Sequence, residues 1–451
     1  MKEKKSKNYS LTYPKIVALG FALIILIGTV LLMLPVSSRG EEISFIDAFF
    51  TATSATCVTG LVTYDTATTW SLFGQIVILC LIQIGGLGFL TVIAFVSGII
   101  KKRMSLKEKM LLKDAVGSLN IGGGKNLVRS VLLLTLCCEV TGAIILSTRF
   151  IPLAGVTKGI YLSVFTSISA FCNAGFDLMG SFAPSSSLTT VNNDPVIIIT
   201  VSLLIIIGGL GFIVWQDMRD KRFNFKGFSI HTKLVLTITS FILVVCTALF
   251  LAFEYANEKT LADMPAWQKV LNAFFANVTT RTAGFNSIDT AGLTSASKML
   301  TIMLMFIGGS SGSTAGGVKT TTIGVLVLCV ISTLRNKDDV NAFDHRINNT
   351  AIKKAISIVF INLAEIVTAT FLILLFQKGF TLIDVLFECT SAIGTVGMST
   401  GITPELCTAS KIVIIFLMYV GRLTSLIFAL MFISLRAKTT TQKPLGNILV
   451  G

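Results

Sequence analysis

Apolar residues arrive in long runs rather than in the spacing of an amphipathic helix or a half-buried strand. The first extends from Ile16 to Leu34, and others lie near 72–100, 131–151, 195–216, 233–256, 298–334, 351–376 and 410–435. A helix crossing a bilayer needs about 20 mostly apolar residues, so the pattern predicts eight spans and places both termini on one side. The first run follows MKEKKSKNYSLTYPK, as a signal sequence would, but Pro35 and SSRGEE come next instead of a small-residue cleavage site.

The connections alternate in character. Segments 1–15, 101–129, 217–233, 335–354 and the tail after Leu435 hold 26 of the 37 Lys and Arg residues; the connections around 35–71, 152–194, 257–298 and 377–411 carry no such clusters. The positive-inside rule puts the basic segments, and both termini, in the cytoplasm. Topology and lipid headgroups account for these segments, with docking of a cytosolic partner as the sharper alternative. The other four connections are too apolar for exposed loops. Each holds a stretch such as Ser44–Thr56 or Leu382–Ile393, too short to cross the hydrocarbon and suited to a re-entrant segment. Non-helical backbone at that depth persists only when buried in protein or lining a watery path.

These stretches repeat. FTATSATCVTG ends at Gly60, FTSISAFCNAG at Gly175, FFANVTTRTAG at Gly284 and FECTSAIGTVG at Gly397, and Phe50, Phe165, Phe274 and Phe387 each stand ten residues before the closing glycine. The glycines are 115, 109 and 113 residues apart. A second register agrees: GGLGF at Gly85–Phe89 and at Gly208–Phe212, GGSSGST at Gly308–Thr314 and YVGRLT at Tyr419–Thr424 occupy matching places in the following spans. The unit is therefore span, re-entrant helix, glycine turn, span, written four times, as internal repeats are. Four such units in one orientation form a ring about an axis along the membrane normal. Helix C-termini aimed at that axis carry partial negative charge, and turns of small residues present carbonyls, the ligand type that replaces a potassium ion's hydration shell. Ordinary glycine turns after interfacial helices are the plain alternative.

Composition narrows the classes further. The 451 residues are 53% apolar and only 13% charged, with mean hydropathy +0.81, about half the charge of a soluble domain. His231 and His345 are the two histidines, and the nine cysteines form no CxxC pair, so a zinc module and a secreted disulfide scaffold are excluded. No nucleophile motif or His/Asp cluster marks an enzyme, and no span carries the Arg/Lys ladder of a voltage sensor. A sodium- or proton-coupled secondary carrier for another small solute is the rival reading; such carriers use inverted pairs of repeats, not four units in one orientation.

Several residues stand out against this frame. Gly308, Gly309, Ser310, Ser311, Gly312, Ser313, Thr314, Ala315, Gly316 and Gly317 form a run of Gly, Ser, Thr and Ala where the other repeats have an inner helix. Helix propensity is poor there, and an unwound loop across the permeation path, a gate, is expected; a small-residue helix contact is the alternative. GSTAGGVKT, from Gly312, is one residue too long for a phosphate-binding GxxxxGK[ST] motif and lies within a span, so no nucleotide is expected there. Arg422 occupies the place of Gly86, Gly209 and Gly309; an unpaired arginine at that depth costs about 3 kcal/mol, so it must face the pore or an acid. Asp47 and Asp384 stand three residues before Phe50 and Phe387 and read as helix caps in preference to cation attractors. Glu139 and Glu365 lie inside spans, either pairing with a base or lining an inner or dimer-facing surface.

Four span–re-entrant helix–span units on one chain, each closing on a single glycine, resemble the Trk/Ktr/HKT superfamily of potassium transporters over residues 12 to 436. Trk-type bacterial subunits carry two additional N-terminal spans. The first span here begins near residue 16, and with its short loops the sequence is most similar to the Ktr-type membrane subunits of bacteria. The resemblance implies an all-α polytopic membrane protein with one pseudo-fourfold pore per chain, a homodimer of such chains in the bacterial cell membrane, and sodium-dependent potassium uptake. It also implies a cytosolic ring of RCK-type nucleotide-binding regulatory subunits, with ATP or ADP on that partner and none on this chain. Membrane lipids are further partners; nucleic acid is not.

Carried over by alignment, the potassium filter comprises Thr56, Cys57, Val58, Thr59 and Gly60; Phe171, Cys172, Asn173, Ala174 and Gly175; Arg281, Thr282, Ala283 and Gly284; and Ile393, Gly394, Thr395, Val396 and Gly397. The four versions share only the last glycine, so fewer well-defined cation sites are expected than in a symmetric tetramer. Arg281 would repel potassium inside the path and is expected to point behind the filter toward an acid. The family's arginine matching Arg422 helps form a constriction beside the broken helix. The potassium ligands are the filter carbonyls; the sodium site is unassigned.

The organisation read from the sequence is a basic tail (1–15), repeat one (16–100), a linker (101–130), repeat two (131–216), a linker (217–232), repeat three (233–334), a linker (335–350), repeat four (351–435) and a tail (436–451). KKRMSLKEK at 101–109 and DMRDKR at 217–222 would suit an acidic ring surface. The chain ends PLGNILVG, an apolar tip expected to tuck against a neighbouring protomer or the ring. Truncating Asn447–Gly451 should lower dimer mass in detergent or weaken ring binding; intact dimers with unaltered nucleotide-regulated flux would leave the tip without a role.

Overall fold

The computed structural model describes residues 13–40, 42–88 and 124–423. Phe89, the 101–109 cluster and the Asn447–Gly451 tip lie outside the described residues. The described chain is mostly helical, with one two-residue antiparallel strand pair at Asn341–Ala342 and His345–Arg346, and is built as four copies of one unit. Repeat one consists of α1 (Tyr13–Leu32), the short α2 (Phe45–Cys57) and α3 (Leu72–Leu87). Repeat two consists of α4 (Gly124–Ala154), α5 (Val156–Phe171) and α6 (Pro195–Leu210), with α7 (Phe212–Asp220) turned 88° from α6. Repeat three consists of α8 (Ile230–Glu254), α9 (Ala266–Thr279), and an inner helix in two pieces, α10 (Ser295–Phe306) and α11 (Thr320–Leu334). Repeat four consists of α12 (Asn349–Phe376), α13 (Leu382–Gly394) and α14 (Thr408–Leu423).

The first helix of each repeat is long and apolar enough to cross a membrane; α3 and α6 are shorter, 16 residues each. The expected span at 195–216 is corrected here. It ends at Leu210, because Gly211 takes φ +95° and the chain turns aside. Side-chain caps start the helices: Ser71 accepts from Gly74 N–H, Asp194 from Val196, Ser229 from Thr232, Thr294 from Ser297 and Asn348 from Thr350, each satisfying one of the free donors of a helix start.

The short helices are the core. Phe50, Phe165 and Phe387 are fully buried in them. In repeat three the fully buried ring is Phe275 and not Phe274, because α9 ends five residues before its glycine whereas α2 and α13 end three before theirs. The inner helices of repeats one, two and four close directly onto the end of their own short helices. A Cβ on Gly85, Gly208 or Gly421 would overlap the carbonyl oxygen of Thr56, Phe171 or Ile393. This close backbone approach is why the second sequence register begins on glycine.

Neighbouring repeats are joined at the other end of the short helices, where the start of each inner helix holds the short helix of an adjacent repeat. Tyr161 Oη donates to Gln75 Oε1 (3.1 Å) between repeats one and two, and Gln268 Nε2 donates to Asn192 Oδ1 (3.1 Å) between two and three. The last two junctions are ionic: Lys298 to Asp384 at 3.3 Å and Lys411 to Asp47 at 2.7 Å. The sequence reading of these aspartates as caps is corrected. Ser44 and Thr381 are the caps, accepting from Asp47 N–H and Asp384 N–H and donating their hydroxyls back to the carboxylates, while the aspartates tie one repeat to another. Ala-Ser-Lys at 296–298 and again at 409–411, both ending 14 residues after the closing glycine, was the signal for the two lysines.

The Asp47 side chain is only 7% exposed, so Lys411→Met strands a nearly buried carboxylate, at a cost on the order of 3 kcal/mol. A lower thermal midpoint in detergent is expected, largely recovered by adding Asp47→Asn; an unchanged midpoint in the single variant would remove the junction's role.

Candidate functional site

The four turns that follow the short helices meet. A Cβ built on Gly60 would lie 2.5 Å from the Ala174 carbonyl oxygen and 3.1 Å from Gly175 Cα; on Gly175, 2.8 Å from Ala283 O and 3.0 Å from Gly284 Cα. On Gly284 it would lie 2.6 Å from Val396 O and 3.2 Å from Gly397 Cα, and on Gly397 it would overlap Thr59 O, 2.9 Å from Gly60 Cα. The approaches run one to two to three to four and back to one. The glycines thus form a closed ring in which the carbonyl preceding each glycine lies against the glycine of the previous repeat. No side chain fits there.

Each turn also holds a second left-handed residue, two before the glycine. Val58, Asn173, Thr282 and Thr395 have φ of 57°, 58°, 68° and 50°, and Gly60, Gly175, Gly284 and Gly397 have φ of 92°, 70°, 78° and 89°. Three of the four non-glycine residues are β-branched, for which this region is strained. Hydrogen bonds back to the helix compensate: Thr59 N–H donates to Ser54 O, Ala174 N–H to Ser169 O and Val396 N–H to Ser391 O, all at 2.8 Å, the six-to-one bond of a helix that ends in a left-handed residue. In turns one and four the glycine N–H also donates to a serine hydroxyl, Ser54 or Ser391, at 3.1 Å. The matching Ser169 hydroxyl has no partner among the described residues, and repeat three has Val278 there. Turns one and four are therefore latched by a serine, and in turn three Thr279 Oγ1 donates instead to Phe285 O at 2.7 Å.

Cys57, Cys172, Arg281 and Gly394 occupy one position, three before the glycine. Arg281 is 3% exposed and faces α8, donating from Nη2 to Thr239 Oγ1 at 3.2 Å. Its Nε and Nη1 find no partner among the described residues, so the acid expected from sequence is not its partner.

The run from Gly308 to Gly317 lies between α10 and α11 and is not helical. It packs against the end of α6 and the lower ends of the turns. Ser310 N–H donates to Gly209 O (3.0 Å), Thr314 N–H to Gly208 O (3.4 Å), and Phe212 N–H to Gly312 O (2.9 Å), which is why α6 breaks at Gly211. Gly309, Ser311, Ser313, Gly316 and Gly317 complete the loop. Ser311 and Ser310 share hydrogen bonds with Thr321 and Thr320, and Ser313 Oγ donates to Ser310 O. A Cβ on Gly316 would overlap Thr395 Oγ1 of the fourth turn.

Two cations bond to successive carbonyls of this loop. Arg422 donates from Nη1 to Thr314 O and from Nη2 to Gly85 O, spanning from the loop to repeat one. Its partners in these hydrogen bonds are backbone carbonyls and not an acid. Lys319, which sequence reading passed over as part of a failed phosphate motif, donates from Nζ to Ala315 O (2.7 Å) and Gly316 O (3.3 Å).

Of the two intramembrane acids, Glu139 is buried and accepts from Gln83 Nε2 at 3.0 Å, beside Cys172. Glu365 lines an apolar groove of about 520 Å³ between α12 and α14, with Phe360 and Phe416. Glu388, in α13, escaped the sequence reading. It accepts from Ser399 Oγ and from Thr403 Oγ1 (3.1 Å) and binds the chain beyond the fourth turn to its short helix.

Four short helices close on one ring of backbone inside a bundle of apolar helices, the architecture of a polytopic membrane protein. The chain matches the family described as TrkH, cation transport protein, over residues 12–441 and belongs to it; it is not an enzyme. It is 40% identical to the potassium/sodium uptake protein NtpJ of Enterococcus hirae, covering 99% of each chain. It is also 40% identical to the Ktr system potassium uptake protein B of Bacillus subtilis, over 100% of this chain and 99% of that one. Among solved structures, the potassium transporter TrkH from Vibrio parahaemolyticus has the same fold, with TM-score 0.75 and 16% identity over 95% of this chain and 87% of that one.

Serine at Gly60, Gly175, Gly284 or Gly397 forces a side chain into backbone and strains a left-handed residue by about 1–3 kcal/mol. Such variants should insert in the membrane yet lose rubidium-86 uptake affinity; normal uptake by all four would leave the ring without a part in ion selection.

Proposed function

We propose that the chain is the ion-translocating subunit of a bacterial potassium uptake system, with backbone carbonyls of the four turns as the selectivity filter. The closed glycine ring carries this reading. A dehydrated potassium ion needs converging carbonyl oxygens, and four turns without side chains at their meeting point supply them. The naming of relatives as potassium uptake proteins supports the choice of ion, and the potassium/sodium name of one supports a sodium requirement.

In this reading the loop from Gly308 to Gly317 and Arg422 are the gate. The loop abuts the turns on the side where the short helices end, and Arg422 brings a fixed positive charge to the same place, which raises the barrier to a passing cation. Lys319 adds a second. Membership of a Ktr system in the names of relatives supports partner components. The further proposals are a homodimer, a cytosolic RCK-type ring carrying the nucleotide, and basic segments and both termini facing the cytoplasm of a bacterial cell.

Purified protein in liposomes should take up rubidium-86 and do so faster when sodium is present; a chain that moves no rubidium under either condition is not a potassium pathway. Arg422→Ala should raise the basal rate severalfold and weaken control by the ring subunits, and an unchanged rate would reduce Arg422 to packing.

A further inference from the structure

The loop touches the ring through one residue in particular. Thr314 is fully buried and uses all three of its polar atoms: N–H to Gly208 O at 3.4 Å, hydroxyl to Phe171 O at 3.3 Å, and carbonyl accepting from Arg422. Phe171 is the last residue of α5 and opens the turn of repeat two. The equivalent carbonyls, Thr56 O and Ile393 O, abut Gly85 and Gly421; among the described hydrogen bonds no hydroxyl reaches either of them. The second turn also lacks the serine latch, since among the described residues the Ser169 hydroxyl has no partner where Ser54 and Ser391 accept from glycine. The second turn thus receives a hydroxyl from the loop and none from its own serine.

We propose that Thr314 is a positioning residue for ion selection: by donating to Phe171 O it sets the geometry of the second turn, so that the preference for potassium over sodium depends on where the loop lies. The inference rests on the gating reading above and goes beyond it. A gate alone alters how fast ions pass, whereas a loop hydrogen-bonded to the floor of the ring alters which ions pass. With the loop seated, the Phe171 carbonyl has a donor and a fixed direction. When the loop withdraws, that donor leaves, and the second turn is free to shift.

The test uses the full chain in liposomes, with rubidium-86 uptake competed by sodium. Thr314→Val removes the hydroxyl at nearly constant volume and should lower the rubidium-over-sodium preference about fivefold, as for loss of one net hydrogen bond. Thr314→Ser retains the donor and should keep the wild-type preference. Should the valine variant fail to accumulate, Thr314→Ala removes the same bond and is read in the same way. A valine variant with altered rate but wild-type preference overturns the coupling and leaves the gate standing. A serine variant that loses preference as valine does overturns it too, because the hydroxyl would then not be the operative group. If neither Thr314→Val nor Arg422→Ala changes the rate, the gating reading itself fails.

Discussion

Everything in this protein depends on four backbone turns packing against one another with nothing between them. The backbone of each adjoining turn leaves no room for a Cβ at Gly60, Gly175, Gly284 or Gly397, and a ring of that kind closes only if four short helices arrive at the same depth with the same tilt. The rest of the fold delivers them. Inner-helix glycines let three of the inner helices lie against a carbonyl near the end of their own short helices, junction side chains hold each short helix to an adjacent repeat, and long outer helices keep the assembly out of contact with lipid. Non-helical backbone survives inside a membrane only under such cover.

Fourfold in plan, the ring is twofold in how it is held. Turns one and four have ion-paired junctions, paired Ser/Thr caps and serine latches; turns two and three have neutral junctions and no side-chain cap, and turn three is held instead by Thr279 Oγ1 on Phe285 O. The loop that interrupts repeat three touches both kinds of turn, with Thr314 on the second and Gly316 against Thr395 of the fourth.

Holding Arg422 and Lys319 inside the bundle without an acidic partner in described contact makes sense only because the interrupted helix frees carbonyls. An intact helix would spend those oxygens on its own ladder; the loop exposes Thr314 O, Ala315 O and Gly316 O, and the two cations bond to them. The break and the charges therefore need each other.

Sequence alone determined the membrane class, the four repeats and the places where each must close, because apolar run length and a glycine recurring at fixed offset are one-dimensional signals. Tertiary structure decided the rest. Lys411 and Asp47 are 364 residues apart, and only closure of the ring makes them neighbours. Val58 and Thr395 are residues that propensity argues against at positive φ; the close packing of ring and helix end imposes it. Arg281 and Arg422 look alike as intramembrane cations, yet one lies behind a turn facing Thr239 and the other bridges a loop to a neighbouring repeat. What separates them is which carbonyls and hydroxyls the fold leaves unpaired within reach, and that is set by packing between repeats, not by the order of residues within one.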